Sequence, residues 1–315
     1  MVLPRLPSIR ELIKLYGLSA KSQLSQNFIL DKNITDKIVR CAALSEVTPL
    51  VVEVGPGPGL LTRSILDAGV KNLVAVEKDD RFQPTLKQLA EASEDRLKVI
   101  QGNMLELSHQ AIFDKAQLQP TTTTTTTTTT PHIMGNLPFN IATPLLLQWL
   151  HMLAGRQGLF GLSPKGAGMT LMFQKEVGDR LVAKESTGHR GRLAIMAQSL
   201  CDVREVYHVP ATVFVPKPKV DASVIQLIPR ANLMDDQQGA YLTLENVLRY
   251  YFTKRRKTVG HITRRLMKEM PQSKEVVAEL EELLDFKARP EDLTTEEFCQ
   301  AAKLLHRHSI ITLPL

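Results

Sequence analysis

The chain has 315 residues, 43% hydrophobic and 23% charged, with 39 Lys and Arg against 33 Asp and Glu. That is the composition of an ordinary globular chain long enough for one large domain and a smaller one, and no apolar run reaches the ~20 residues of a membrane-spanning helix, so no membrane partner is expected. The net charge of +6 suits a polyanionic partner such as nucleic acid.

The opening MVLPRLPSIR holds two arginines and no acid, a feature of mitochondrial presequences, although it is short and Glu11 soon interrupts it. Residues 8 to 17 read as a helix, with Ile9, Leu12, Ile13 and Tyr16 on one face and Gly17 at the end. Ser25 to Asp31 reads as an extended arm, and a helix follows from about Ile34 to Ala43. Cys41, Cys201 and Cys299 are too far apart for a CxxC pair or a zinc spacing. No metal site is expected, and a reducing compartment is.

Strands and helices then alternate. The runs 50–54, 73–76, 97–100 and 132–135 read as strands. Residues 60–68, 81–92 and the stretch through Leu145, Leu146, Trp149 and Leu150 read as helices. Such alternation predicts an α/β fold with a parallel sheet covered on both faces. Thr121 to Thr130 is an unbroken threonine run between two prolines and reads as a surface loop. Beyond about Pro229 the pattern becomes helical. Residues 241 to 268 are basic and amphipathic, 274 to 284 acidic, and Thr294 with Glu297 forms a capping box. The expected domains are 1–229 and an all-helical 230–315.

Gly55-Pro56-Gly57-Pro58-Gly59 follows the first of these strands directly. Glycine lets a backbone approach a ligand closely, but Leu60 breaks the G-x-G-x-x-G dinucleotide pattern, and by itself the segment is equally a tight strand–helix turn. Glu77 ends the second strand, where an acid accepts hydrogen bonds from ribose hydroxyls in doubly wound sheets. Asn103 and Met104 follow the third; the amide can pair with an adenine amino group and the thioether can pack on the ring. Alone, Asn103 is an ordinary turn asparagine. Together the three strand ends predict an adenosyl cofactor.

The fourth strand ends in Asn136-Leu137-Pro138-Phe139. The amino nitrogen of adenine is a poor nucleophile because its lone pair is delocalised into the ring. A sulfonium methyl is a good electrophile, so positioning rather than a strong base is what helps. The Asn136 side-chain oxygen and a backbone carbonyl, that of Leu137, can each accept one N–H of the amino group. Pro138 shapes the turn and Phe139 can stack on the base. Phe214, in Phe214-Val215-Pro216-Lys217-Pro218-Lys219, offers a second ring for the base pocket or else a core residue of a late strand; the two readings stand level. Lys217, Lys219 and the run Lys254-Arg255-Arg256-Lys257, with Arg264 and Arg265 on the same helices, are candidate phosphate contacts; Gln174-Lys175-Glu176 and Arg180 are candidates for the same surface.

These motifs resemble the small-subunit ribosomal RNA adenine dimethyltransferases. The resemblance rests on Gln26-Asn27-Phe28, Glu53-Val54-Gly55-Pro56-Gly57, Val76-Glu77, Gly135 to Phe139, Gln174 to Val177, Phe214 to Asp221 and Arg255-Arg256-Lys257. The Leu6-to-Glu11 opening and the G-N-L-P-F form look closest to the mitochondrial branch, also described as mitochondrial transcription factor B proteins. The resemblance implies a Rossmann-like class I methyltransferase sheet and S-adenosyl-L-methionine as cofactor. It implies N6,N6-dimethylation of two adjacent adenosines in the terminal hairpin loop of small-subunit rRNA, within the assembling subunit in the mitochondrial matrix, by a monomer. It further implies cofactor contacts at Asn27, Ile29, Gly55, Glu77, Lys78, Asn103, Met104 and Asn136, with Gly57 in the same turn. The family usually has Asp where this chain has Asn103. Two other readings compete: a non-catalytic mitochondrial transcription or ribosome-assembly factor, against which the intact tetrad argues, and a DNA adenine methyltransferase, whose motif more often carries Pro in place of Leu137.

Overall fold

Val51, Val52 and Val54 place branched side chains on both faces of β2 (Val51–Val54), and all three are buried, as in a strand covered on two sides. The computed structural model describes residues 3–4, 6–18, 26–118, 130–230, 234, 239–270 and 274–313; the threonine run up to residue 129 lies outside them. β3 (Leu73–Glu77) and β4 (Leu97–Gln101) flank β2 on one side, β5 (His132–Gly135) and β6 (Gly168–Gln174) on the other, all parallel. The crossovers run through α3 (Leu60–Asp67), α4 (Gln83–Ala92), α5 (His109–Ala116) and α6 (Phe139–Ala154), and α7 (Lys175–Leu181) follows β6.

The expected parallel sheet is in fact mixed. β9 (Ala222–Pro229) pairs antiparallel with β6, and β7 (Cys201–Val209) completes the order β4-β3-β2-β5-β6-β9-β7. The chain leaves β2 towards β3 on one side and later returns to β5 on the other. This reversal opens a crevice at the carboxyl ends of β2 and β5, where ligands bind in doubly wound sheets. The first helix, α1 (Ile9–Leu15), begins on a reciprocal Ser8–Glu11 capping box. The arm that follows becomes a two-residue strand, β1 (Phe28–Ile29), paired antiparallel with β8 (Phe214–Val215) and leading into α2 (Lys32–Ala42).

The chain divides into two compact units, residues 1–149, 156–178 and 204–229 in one and 150–155, 179–203 and 230–315 in the other. Pro229–Arg230 is one crossing between them, and two earlier segments belong with the C-terminal helices. The second unit is built mainly of α8 (Arg192–Gln198), α9 (Ala240–Thr253), α10 (Val259–Glu269), α11 (Lys274–Leu283) and α12 (Thr295–Arg307), the last opened by the Thr294–Glu297 capping box. Arg190 explains why segment 179–203 joins it. The side chain is fully buried, and its guanidinium donates to the carbonyls of Ala183 (3.2 Å) and Leu293 (3.1 Å) and to Gln198 Oε1 (3.2 Å). A buried cation is tolerated when it is paired; Glu185 stands 3.1 Å from Nη2, while Nε is left without a hydrogen bond among the described residues.

Candidate active site

The glycines after β2 are required by backbone shape. Gly55 and Gly57 have φ of 69° and 54°, the left-handed region that side chains disfavour. A Cβ on Gly57 would also meet the Phe28 ring at 3.5 Å, so the arm lies directly on this turn. Glu77 closes β3 and braces the turn from the next strand. Its carboxylate accepts the Gly57 N–H at 2.9 Å and the Asp79 N–H at 2.8 Å, one on each oxygen. A carboxylate has about four acceptor sites, so both oxygens retain capacity for a ligand. Burial raises the pKa of Glu77 above the usual carboxylate range.

A second acid lies in the same place. Glu53, in the middle of β2, is 1% exposed, and among the described residues neither of its carboxylate oxygens finds a hydrogen-bond partner. The Thr62 hydroxyl is near enough to favour its charged form, yet it too lacks a hydrogen bond of good geometry. Burial, reinforced by the charge of Glu77, pushes Glu53 up to about 8. In the sequence Glu53 figures only as the first residue of the Glu53-to-Gly57 motif, with no chemical role assigned to it. The available signal was an acid within an otherwise branched apolar run, a residue type almost never buried without a partner.

Across the crevice, β5 ends in Gly135, where a Cβ would sit 2.8 Å from the Val54 carbonyl oxygen and 2.9 Å from Leu137. That close approach sets Asn136 beside the glycine turn. The Asn136 Nδ2 donates to the Asn27 carbonyl at 3.1 Å. With its nitrogen so engaged, the amide presents Oδ1 as its remaining acceptor. The Pro138 carbonyl accepts the N–H groups of Ile141 (3.0 Å) and Ala142 (3.2 Å) at the start of α6, while among the described residues no backbone N–H is directed to the Leu137 carbonyl. Two acceptors thus stand one residue apart at the strand end.

These groups line one open cleft. Asn27, Ile29, Gly55, Gly57, Glu77 and the whole of Asn136 to Phe139 line it, together with Gln26, Phe28, Thr35, Ile38, Glu53 and Pro56. Lys78, Asn103, Met104 and Phe214 do not. Asn103 follows β4, whose Gln101 pairs with Glu77. Its amide donates to Glu106 (2.6 Å) while its Oδ1 accepts the Leu105 N–H (3.3 Å), and Met104 is buried. Phe214, 2% exposed, packs in the core with Ile29, its partner in the β1–β8 pair. Of its two sequence readings, the buried position accords with the core residue.

Lys217 and Lys219 are exposed on the segment after β8, between exposed Val215 and Val220. In the second unit the basic run is more occupied than its charge implies. Arg255 donates to Glu291 at 3.1 Å and to the Gly188 carbonyl at 3.2 Å, and Lys254 sits 3.7 Å over the Tyr250 ring. Arg264 pairs with Glu281 and Arg265 with Glu269. Arg256 and Lys257 are exposed, and no acidic partner is found for either among the described residues. No group of three His, Cys, Asp or Glu that could hold a metal occurs among the described residues.

S-adenosylmethionine has a sulfonium, an ammonium and a ribose diol. A cleft with two buried acids, one carrying spare acceptor sites beside a glycine turn, fits that set of groups. Comparison with known proteins points the same way. The model of the "Ribosomal RNA adenine dimethylase" family matches residues 17–307. Dimethyladenosine transferase 1, mitochondrial, of Xenopus tropicalis is 44% identical over 94% of this chain and 84% of that protein. Ribosomal RNA small subunit methyltransferase A of Rhizobium etli is 39% identical over 95% of this chain and 98% of its own length. The crystal structure of a dimethyladenosine transferase from Plasmodium falciparum superposes with a TM-score of 0.68 at 22% identity, covering 90% of this chain and 98% of that one, which supports the fold. The chain belongs to the ribosomal RNA adenine dimethylase family and is an S-adenosylmethionine-dependent rRNA adenine methyltransferase.

Proposed function

We propose that this protein dimethylates N6 of two adjacent adenosines in the 3′-terminal hairpin loop of mitochondrial small-subunit rRNA, acting in the matrix on the assembling subunit. The observation that carries the reading is the meeting of Gly55, Gly57 and Glu77 with Asn136 to Phe139 in one cleft. The mitochondrial names of its relatives support the compartment.

The cofactor supplies a methyl group on a positively charged sulfur. Glu77 holds the ribose hydroxyls with the acceptor sites that Gly57 and Asp79 leave unused. Gly55 and Gly57 let the backbone approach the methionine end, and the arm residues Asn27 to Ile29 cover it. Asn103 Oδ1 has a second lone pair for the adenine amino group of the cofactor, with Met104 behind it and Lys78 at the rim. The target adenosine leaves its stack and enters beside Asn136. In the first transfer Asn136 Oδ1 and the Leu137 carbonyl accept its two amino N–H bonds, which turns the nitrogen lone pair towards the methyl; in the second, the one N–H that remains keeps one of these acceptors. Phe139 stacks on the base, a contact worth about 1–3 kcal/mol in single-strand binders. Phe214 supports this wall from behind through its pairing with Ile29. The surplus proton on the methylated nitrogen passes to solvent.

Primer extension on unmodified small-subunit RNA tests the reading. Incubation with protein and S-adenosylmethionine is expected to create a reverse-transcription block at the paired adenosines. Unblocked extension would refute it and favour a binding factor that keeps only the fold.

Two further outcomes follow from individual residues. Glu77→Ala is expected to weaken cofactor binding by about 10- to 100-fold in titration calorimetry, because it removes the ribose acceptor; the two buried N–H groups it leaves unmet, each costing about 1–3 kcal/mol, lower the stability instead. Unchanged affinity would refute the ribose assignment. Lys217, Lys219, Lys254, Arg255, Arg256 and Lys257 are proposed RNA contacts, but the geometry divides them. Neutralising Arg256 and Lys257 should reduce the slope of log affinity against log salt by about 0.7 for each phosphate that is no longer neutralised. Arg255→Gln should instead lower the melting temperature, since Arg255 ties Glu291 to Gly188.

A further inference from the structure

Gln26 stands at the entry of the arm, 53 residues from Asp79 in sequence, and its Nε2 donates to Asp79 Oδ2 at 3.0 Å. Asp79 is buried, and Arg81 grips it with Nε on Oδ1 (2.9 Å) and Nη2 on Oδ2 (2.6 Å). Arg81 Nη2 also reaches Gln26 Oε1 at 3.4 Å. The hydrogen bond from Arg81, with that from Gln26, holds the Asp79 carboxyl down at about 2, so the group stays ionised throughout the physiological range.

What this cluster connects matters more than its own strength. The Asp79 N–H donates to Glu77, the acid on the cofactor side. The residue after Gln26 offers its carbonyl to the Asn136 amide, the group on the substrate side. One continuous path therefore runs Glu77–Asp79–Gln26–Asn27–Asn136. Phe28, next along the arm, stacks edge-on against Phe82 at 5.6 Å and lies over Gly57. Those apolar contacts hold the arm down, but rings can slide. The Gln26–Asp79 bond fixes where along the cleft the Asn27 carbonyl stands.

We propose that Gln26 and Asp79, braced by Arg81, are positioning residues for methyl transfer: their hydrogen bond fixes the arm so that the Asn27 carbonyl orients the Asn136 amide relative to the cofactor acid Glu77. The proposal rests on the roles given above to Glu77 and Asn136. A misplacement of about 1 Å in a reacting geometry can cost about 100-fold in rate, so a loosened clasp is expected to act on the rate at saturation.

The test exchanges the two partners. Gln26→Glu sets a carboxylate against Asp79, and Asp79→Asn removes the charge that Arg81 holds. Each single variant is expected to lower kcat by about 10-fold or more at saturating S-adenosylmethionine and RNA, measured well below the melting temperature. The double variant Gln26→Glu/Asp79→Asn restores one amide–carboxylate pair within reach of Arg81. Asparagine also remains a good cap for the turn at Arg81. It is expected to recover kcat to within about 3-fold of the parent. A purely structural role would move the melting temperature and leave kcat unchanged at low temperature. Single variants with parental kcat, or a double variant no better than the worse single one, would overturn the proposal. If Glu77→Ala and Asn136→Ala also retain full activity, the reading of the site itself fails. If those two are inactive while the clasp variants are not, only the clasp fails.

Discussion

Asn136→Ala is expected to lower methyl transfer by about 100-fold or more while the fold and RNA affinity persist. The amide does two separable things. Its nitrogen is anchored on the Asn27 carbonyl, and its oxygen is thereby left to accept an N–H of the target adenine. Alanine deletes both, so the base loses one of the two acceptors that align its lone pair, and mispositioning of this kind costs about 100-fold. The cost to stability is smaller, on the order of 1 kcal/mol, the net worth of one hydrogen bond. Asn136→Asp separates the two functions. It keeps an acceptor oxygen but turns a second one towards the Asn27 carbonyl, and it should fall between the parent and Asn136→Ala. Single-turnover transfer to the rRNA hairpin measures the rate, and thermal melting checks the fold. An alanine variant that dimethylates at the parental rate would remove Asn136 from the mechanism.

Much of this site is legible in sequence because strand ends carry their own punctuation. The branched run before Gly55, the acid at Glu77 and the glycine before Asn136 each mark where a chain must turn at the edge of a sheet, and the doubly wound topology then gathers those edges. The arm is different. Phe28 and Ile29 become a strand only by pairing with Val215 and Phe214, 187 and 185 residues away, and nothing local announces such a partner. The contact of Asn27 with Asn136, and the clasp at Gln26, depend on that pairing and are equally hidden. Gly168 to Gln174 is a short apolar run, which periodicity alone does not distinguish from a buried helix segment, and its antiparallel neighbour β9 makes the sheet mixed rather than parallel. Charge runs have a similar blind spot. Arg255 and Arg256 look alike in sequence, yet Glu291 neutralises the first from 36 residues away.

Glu53 leads to the second large effect, which depends on pH. Burial holds its pKa near 8 against an ordinary 4.5. Below about 4.5 the acid is protonated in both the folded and unfolded chain and contributes no difference. Between about 4.5 and 8 the unfolded chain releases the proton and the folded one keeps it, so stability falls as pH rises through this window, by at most about 1.4 kcal/mol for each pH unit. Above about 8 the folded protein must hold an ionised carboxylate that accepts no hydrogen bond from the described residues. Glu53→Gln removes the titration while keeping the shape. Its amide is also without a partner, which adds a cost that does not vary with pH. The discriminating quantity is therefore the change across pH in the difference between the two proteins. The melting temperature of Glu53→Gln minus that of the parent should rise steadily from pH 5 to pH 8, by several degrees in total, in protein free of cofactor. The nearby charge of Glu77 contributes to the raised value, so placing Glu53→Gln in a Glu77→Gln background should shrink the effect. A difference that stays flat across the range would mean that Glu53 is already ionised in the folded protein and has a partner for its charge.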